Sequence, residues 1–204
     1  TSLSDAAAES LLYVSLSLGF MSLSKTMARR LVSRFVRSED PCPENHFDDT
    51  EDEYLNWRGL ALTKLKSLDP EAAEILSNYT GNKIFLDGLE ILSKGAAEGL
   101  SEYKGDLSLR SLTSLSDSAA ESLSRFEGCL FLRGLTSLSD AAAESLGKYA
   151  GQDLALDGLT SLSDAAAESL GKYAGNTLAL NGLRKISDAA AKSLSKSYAN
   201  RKVL

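Results

Sequence analysis

The stretch Leu154–Gly175, LALDGLTSLSDAAAESLGKYAG, divides by chemistry into three parts. Leu154 and Leu156 alternate as on a short strand, Asp157 and Gly158 open a turn, and Ser163 precedes an alanine-rich run that reaches Leu170. Relatives of this stretch recur along nearly the whole chain, so the protein is an array of one unit, the first thing to look for at such a period.

Aligned on the residue before each alanine-rich run, the units begin at Ser4, Ser24, Asp69, Ser93, Ser116, Ser139, Ser163 and Ser187. The residue before each is Leu or Ile, the fourth after it is Ala and the seventh after it is Leu. Ser93, Ser116 and Ser139 are 23 residues apart, whereas Ser139, Ser163 and Ser187 are 24 apart. The added residue falls before the strand, in Gly151-Gln152-Asp153-Leu154 against Gly105-Asp106-Leu107, where a loop absorbs it without shifting the core register.

Each position has a mechanical reason. Ser163 is read as an N-cap whose hydroxyl accepts an orphan backbone N–H of the first turn. Pro70 then stands on a first helical position, where its missing N–H costs nothing. Asp164 sets negative charge at the positive end of the helix dipole. Gly81, Gly105, Gly128, Gly151 and Gly175 are expected to close the helices in a left-handed conformation. The Leu-x-Leu pairs Leu107/Leu109, Leu130/Leu132, Leu154/Leu156 and Leu178/Leu180 predict short strands. One unit buries too few large apolar side chains to offset the ordering entropy of its own backbone, so stability must come from stacking.

Carried by these leucines, alanines and caps, the pattern resembles the leucine-rich repeat family over about residues 1–37 and 54–204. It is most similar to short, alanine-rich bacterial versions with a strand and a helix in every repeat. The resemblance implies an α/β solenoid, with a parallel sheet on the concave side and short helices on the convex side. One position departs from it: where the family usually carries a buried Asn, this chain has Leu89, Leu112, Leu135, Leu159 and Leu183.

The expectation is a single repeat solenoid over residues 1–204, interrupted by an acidic loop at 38–53, with both ends falling inside repeats. The chain opens on Thr1 in mid-unit with no leader segment, and Lys202-Val203-Leu204 reads as the start of another strand, so a piece of a longer array is expected. Apolar content of 43% is ordinary for a folded domain. A net charge of −6 argues against a nucleic-acid binder held by phosphate contacts. The uncharged run 11–23 is too short to span a bilayer.

Ser24–Arg37 is the odd unit. Met27, Ala28, Leu31, Val32 and Phe35 form an apolar stripe, with Lys25, Arg29, Arg30, Arg34 and Arg37 around it. Neutralisation by the neighbouring acidic stretch is the preferred reading, against an external acidic partner or a membrane surface. Within that stretch, Asp48–Glu53 lacks the alternation and glycine of an EF-hand loop. Cys42 and His46 form half of a zinc site whose other half is missing, and a disulfide to Cys129 would bridge distant units. After the loop, two registers compete for the next strand, one starting at Leu55 and one at Leu60, and the spacing to Asp69 favours Leu60.

Function is sought where the copies differ. On the strands, alternate residues face opposite sides. Leucines face in, leaving rows such as Lys83/Phe85/Asp87, Asp106/Ser108/Arg110, Cys129/Phe131/Arg133, Asp153/Ala155/Asp157 and Thr177/Ala179/Asn181 on the concave surface. Phe85 and Phe131 are expected as exposed anchors with Arg110 and Arg133 beside them, since aromatic and arginine residues dominate interfaces. The candidate partner-binding set is Phe85, Asp87, Ser108, Arg110, Phe131, Arg133, Asp157 and Asn181. The blander reading is drift of an unconstrained surface, as single exposed hydrophobes are common.

No enzyme is expected: the glycines are spaced one per unit and form no phosphate loop, the serines are caps, and His46 has no evident nucleophile beside it. No cofactor or metal is implied. The expected partner is a protein or peptide, with no nucleic acid and no membrane. The alternative is a structural spacer that self-associates through uncapped ends.

Overall fold

A computed structural model describes residues 22–35 and 59–200. Strands and helices alternate in chain order: β1 (Ser22–Leu23), α1 (Lys25–Phe35), β2 (Gly59–Ala61), β3 (Ser67–Leu68), α2 (Pro70–Leu76), β4 (Lys83–Phe85), α3 (Lys94–Leu100), β5 (Asp106–Ser108), α4 (Asp117–Leu123), β6 (Leu130–Phe131), α5 (Asp140–Gly147), β7 (Asp153–Ala155), α6 (Asp164–Leu170), β8 (Thr177–Ala179) and α7 (Asp188–Asn200). The fold is α/β and repeat-like. Six strands form one parallel sheet in the order β2-β4-β5-β6-β7-β8, and β1 pairs with β3.

The register is uniform. Leu60, Ile84, Leu107, Leu130, Leu154 and Leu178 stand opposite one another along the sheet, so after the interruption it is the Leu60 register that joins it. The ladder continues past each strand, through bonds such as Leu86 N–H to the Ser108 carbonyl at 2.8 Å and Leu132 N–H to the Ala155 carbonyl at 2.9 Å. A tight turn then follows, closed by Leu89 N–H to the Leu86 carbonyl at 3.0 Å and Leu159 N–H to the Leu156 carbonyl at 3.1 Å. That turn swings Leu89, Leu112, Leu135 and Leu159 into the core, where they are wholly buried at the place the resemblance reserves for Asn.

The helices are short because their caps are close together. Ser93, Ser116, Ser139 and Ser163 each accept the N–H of the third residue on, at 2.9–3.2 Å. Asp69 makes no such side-chain bond and is followed by Pro70 at the helix start. Caps also link units: Ser139 Oγ donates to Asp117 Oδ1 and Ser163 Oγ donates to Asp140 Oδ1, each at 2.5 Å. Two alanines per helix, such as Ala142 and Ala143, and one leucine, such as Leu146, pack against the strand leucines in one continuous core. The units on either side of the interruption abut, through the β1–β3 pairing and the Lys25 Nζ to Glu71 Oε2 ion pair at 2.8 Å.

Gly105, Gly128, Gly151 and Gly175 depart from expectation. None has a left-handed backbone, and α3, α4 and α6 end on residues in the right-handed region, Ser101, Ser124 and Gly171. These glycines are required by close approach. A Cβ on Gly128 would come inside 3.0 Å of the Gly105 carbonyl oxygen, and one on Gly151 inside 3.0 Å of the Gly128 carbonyl oxygen.

The space is taken by an aromatic column. Tyr79, Tyr103, Phe126, Tyr149 and Tyr173 stack along the array with ring centroids 5.7–6.4 Å apart. Tyr103 donates its hydroxyl to the Gly81 carbonyl at 2.7 Å, Tyr173 to the Gly151 carbonyl at 3.0 Å, and Tyr149 to the Gly128 carbonyl. Phe126 has no hydroxyl for Gly105. Phe126→Tyr is therefore expected to raise the unfolding free energy by about 1 kcal/mol, read as a higher urea midpoint at unchanged slope. A lower midpoint would mean that the column has no room for the added oxygen.

Candidate functional site: the sheet face turned away from the helices

Because Ile84, Leu107, Leu130 and Leu154 pack inward, the residues beside them lie on the opposite face of the sheet. The central row of that face runs Ala61, Phe85, Ser108, Phe131, Ala155 and Ala179. The expected exposure of its aromatics is not found: Phe85 is 3% and Phe131 8% exposed. Small neighbours, Ala61, Ser108 and Ala155, leave room for the rings on the sheet, and Lys83, itself 5% exposed, packs over them. Its Nζ stands 5.0 Å from the Phe85 centroid and 4.3 Å from that of Phe131, a cation held over two ring faces. Ser108, also expected at the surface, is fully buried.

The next row, Asp87, Arg110, Arg133, Asp157 and Asn181, carries the polar chemistry. Asp87 Oδ1 accepts the Ser108 hydroxyl at 2.6 Å and the Arg110 N–H at 3.1 Å. Asp157 Oδ1 accepts from the Asn181 backbone N–H at 3.1 Å and from its Nδ2 at 2.6 Å. Arg133 Nε lies 3.3 Å from Asp157 Oδ2, an attraction of charges without an aligned hydrogen bond, and its guanidinium carbon is 5.7 Å from the Phe131 centroid. Asp87, Ser108 and Arg110 thus form one group, and Phe131, Arg133, Asp157 and Asn181 a second, with the Lys83 ammonium reaching from β4 to the Phe131 ring.

On the other side of the central row, Cys129 sits between two carboxylates. Its N–H donates to Asp106 Oδ1 at 2.9 Å, and its thiol donates to Asp153 Oδ2 at 3.4 Å. Burial first, then the charges of Asp106 and Asp153, push the Cys129 thiol well above the usual thiol range. The thiolate is the reactive and ligating form, so this arrangement keeps Cys129 a hydrogen-bond donor. Among the described residues no three His, Cys, Asp or Glu side chains are grouped to hold a metal ion. Cys42, His46 and the acidic stretch 38–53 lie outside the described residues.

Period-two alternation placed the eight candidate residues on one face. It did not single out Lys83, Asp106, Cys129 and Asp153, although the same two-residue step reaches all four. The face carries the Arg133–Asp157 ion pair beside aromatic rings that lie under the Lys83 ammonium. No described helix is long and apolar enough to cross a membrane. The sequence matches no protein-family model, and none of the curated proteins is significantly similar to it.

Proposed function

We propose that this chain is a leucine-rich-repeat-like solenoid that acts as a protein-interaction module, binding a protein or peptide on the outer, concave face of its sheet. One observation carries the reading. The row Asp87, Arg110, Arg133, Asp157, Asn181 changes charge from unit to unit, while the helices behind it are near copies, DAAAESL in both α5 and α6. Its side chains are partly or fully accessible, so the variation lies outside the core.

The test is a charge reversal on that row. Arg110→Glu/Arg133→Glu is compared with the helix-face control Glu144→Lys/Glu168→Lys in capture and cross-linking of partners. Loss of a specific partner in the first variant and not in the second is the expected result. Equal loss, or none, would remove the outer face as the binding surface. Phe85 and Phe131 are poor choices for this test, since truncating buried rings costs about 3–5 kcal/mol of stability.

A second reading, a structural segment that associates end to end, has its own observation. In the last described unit Leu180 and Leu183 are only partly buried and Ala191 is exposed, whereas their counterparts in earlier units are wholly buried. Concentration-dependent association that survives the Arg110/Arg133 reversal would favour it.

A further inference from the structure

On the outer face Arg133 has Asp157 and Lys83 has two rings, but Arg110 stands apart. It takes part in no ion pair among the described residues, and its Nε is buried without a hydrogen-bond acceptor. Asp87, on the preceding unit, is complementary to it. One carboxylate oxygen holds Ser108 and the Arg110 backbone, while the other, Oδ2, is buried and accepts nothing. A buried donor and a buried acceptor therefore stand on neighbouring units without meeting each other, an arrangement that native structures rarely leave uncompensated.

The group that would satisfy both must accept from a guanidinium and donate to a carboxylate. A phosphate or other dianion meets the first demand and is repelled by Asp87. A basic side chain meets the second and is repelled by Arg110, with Lys83 and Arg133 on the same face. An extended peptide with an acidic side chain meets both, through its carboxylate and a backbone N–H.

We propose that Arg110 and Asp87 form the anchor for such a segment of a partner protein, an Asp or Glu carboxylate seating on Arg110 and a peptide N–H on Asp87 Oδ2. This rests on the reading of the outer face as a binding surface. Paired, desolvated charges of this kind give specificity as well as attachment.

The experiment is selection of a random peptide library on the full chain, repeated with Arg110→Glu and, as the milder change, Arg110→Gln. Circular dichroism and urea midpoints check that all three are folded. The expected result is enrichment of Asp or Glu at one peptide position on the parent chain. Binders should weaken on the order of tenfold or more with Arg110→Gln. On Arg110→Glu the preference should turn to Lys or Arg. Selection of peptides without acidic preference, or acidic binders that hold Arg110→Glu equally well, would overturn the anchor while leaving the docking face standing. No enrichment over an unrelated control protein would sink both.

Discussion

Gly128→Ala is expected to lower the unfolding free energy by about 3 kcal/mol or more, the upper range for forcing extra volume into a packed interior. The added methyl would meet the Gly105 carbonyl oxygen on one side and Phe126 Cζ at 2.9 Å on the other. Neither can retreat easily. Gly105 is tied to the next strand through Asp106, whose N–H is held by the Asn82 carbonyl at 2.6 Å, and Phe126 is stacked between Tyr103 and Tyr149. In a linear array the damage falls on one interface between units, so the single urea transition should separate into two. Gly95→Ala is the milder comparison: its Cβ would come 2.8 Å from Pro70 Cγ, but Pro70 is exposed and can give way, no backbone atom stands in the way, and alanine is the better helix former. It should change stability by about 1 kcal/mol or less. Circular dichroism during urea titration of the two variants decides, and a Gly128→Ala curve overlying the parent would refute the close-approach account.

Alkaline pH should unfold the protein through its aromatic column. Burial, with the Tyr79 and Asp106 charges adding to it, raises the Tyr103 phenol far above its ordinary value. Burial does the same for Tyr149, helped by Tyr173, Cys129, Asp106 and Asp153. Below the unfolded-state value of about 10 both states keep these protons, and stability does not depend on them. Above it the unfolded chain releases them and the folded chain does not, so each tyrosine removes about 1.4 kcal/mol of stability per pH unit. Cys129, raised in the same sense, adds to the loss from about pH 8.5 upward. The double variant Tyr103→Phe/Tyr149→Phe starts from a lower stability, having lost two hydroxyl bonds, but its urea midpoint should fall less steeply above about pH 10. An unchanged slope in that variant would mean that the phenols do not drive the transition.

Much of the fold was legible because a few residue types do the same task in every unit. Ser163 with its alanines announces α6, Leu107 and Leu109 bracket β5, and the spacing to Asp69 selects Leu60 over Leu55. The burial of Phe85 and Phe131 is not legible in the sequence, because a two-residue period tells only which face a side chain takes. It does not tell how deeply the ring is packed there, nor that Lys83 reaches across to lie over both rings. The glycines' role is not legible in the sequence, because a chain that needs positive φ and a chain that lets another carbonyl approach use the same residue. The aromatic column stands ten residues after each cap from Asp69 to Ser163, in plain view but without a partner until the glycine carbonyls are placed. Arg110 and Arg133 look equivalent in sequence. They differ because Asp157 is turned to Arg133, while Asp87 is held by Ser108 and by the Arg110 backbone.

In the six-stranded sheet each strand bonds only to the strands of the units before and after it. The search a segment makes during folding is therefore set by the length of one unit, not by the length of the chain. Contact order stays low relative to chain length, so further copies would add stability without slowing the folding of those already present. It also means that growth by duplication requires no new long-range pairing to be found. The near-identity of the units from Ser139 to Ser187 is the kind of sequence such growth leaves behind.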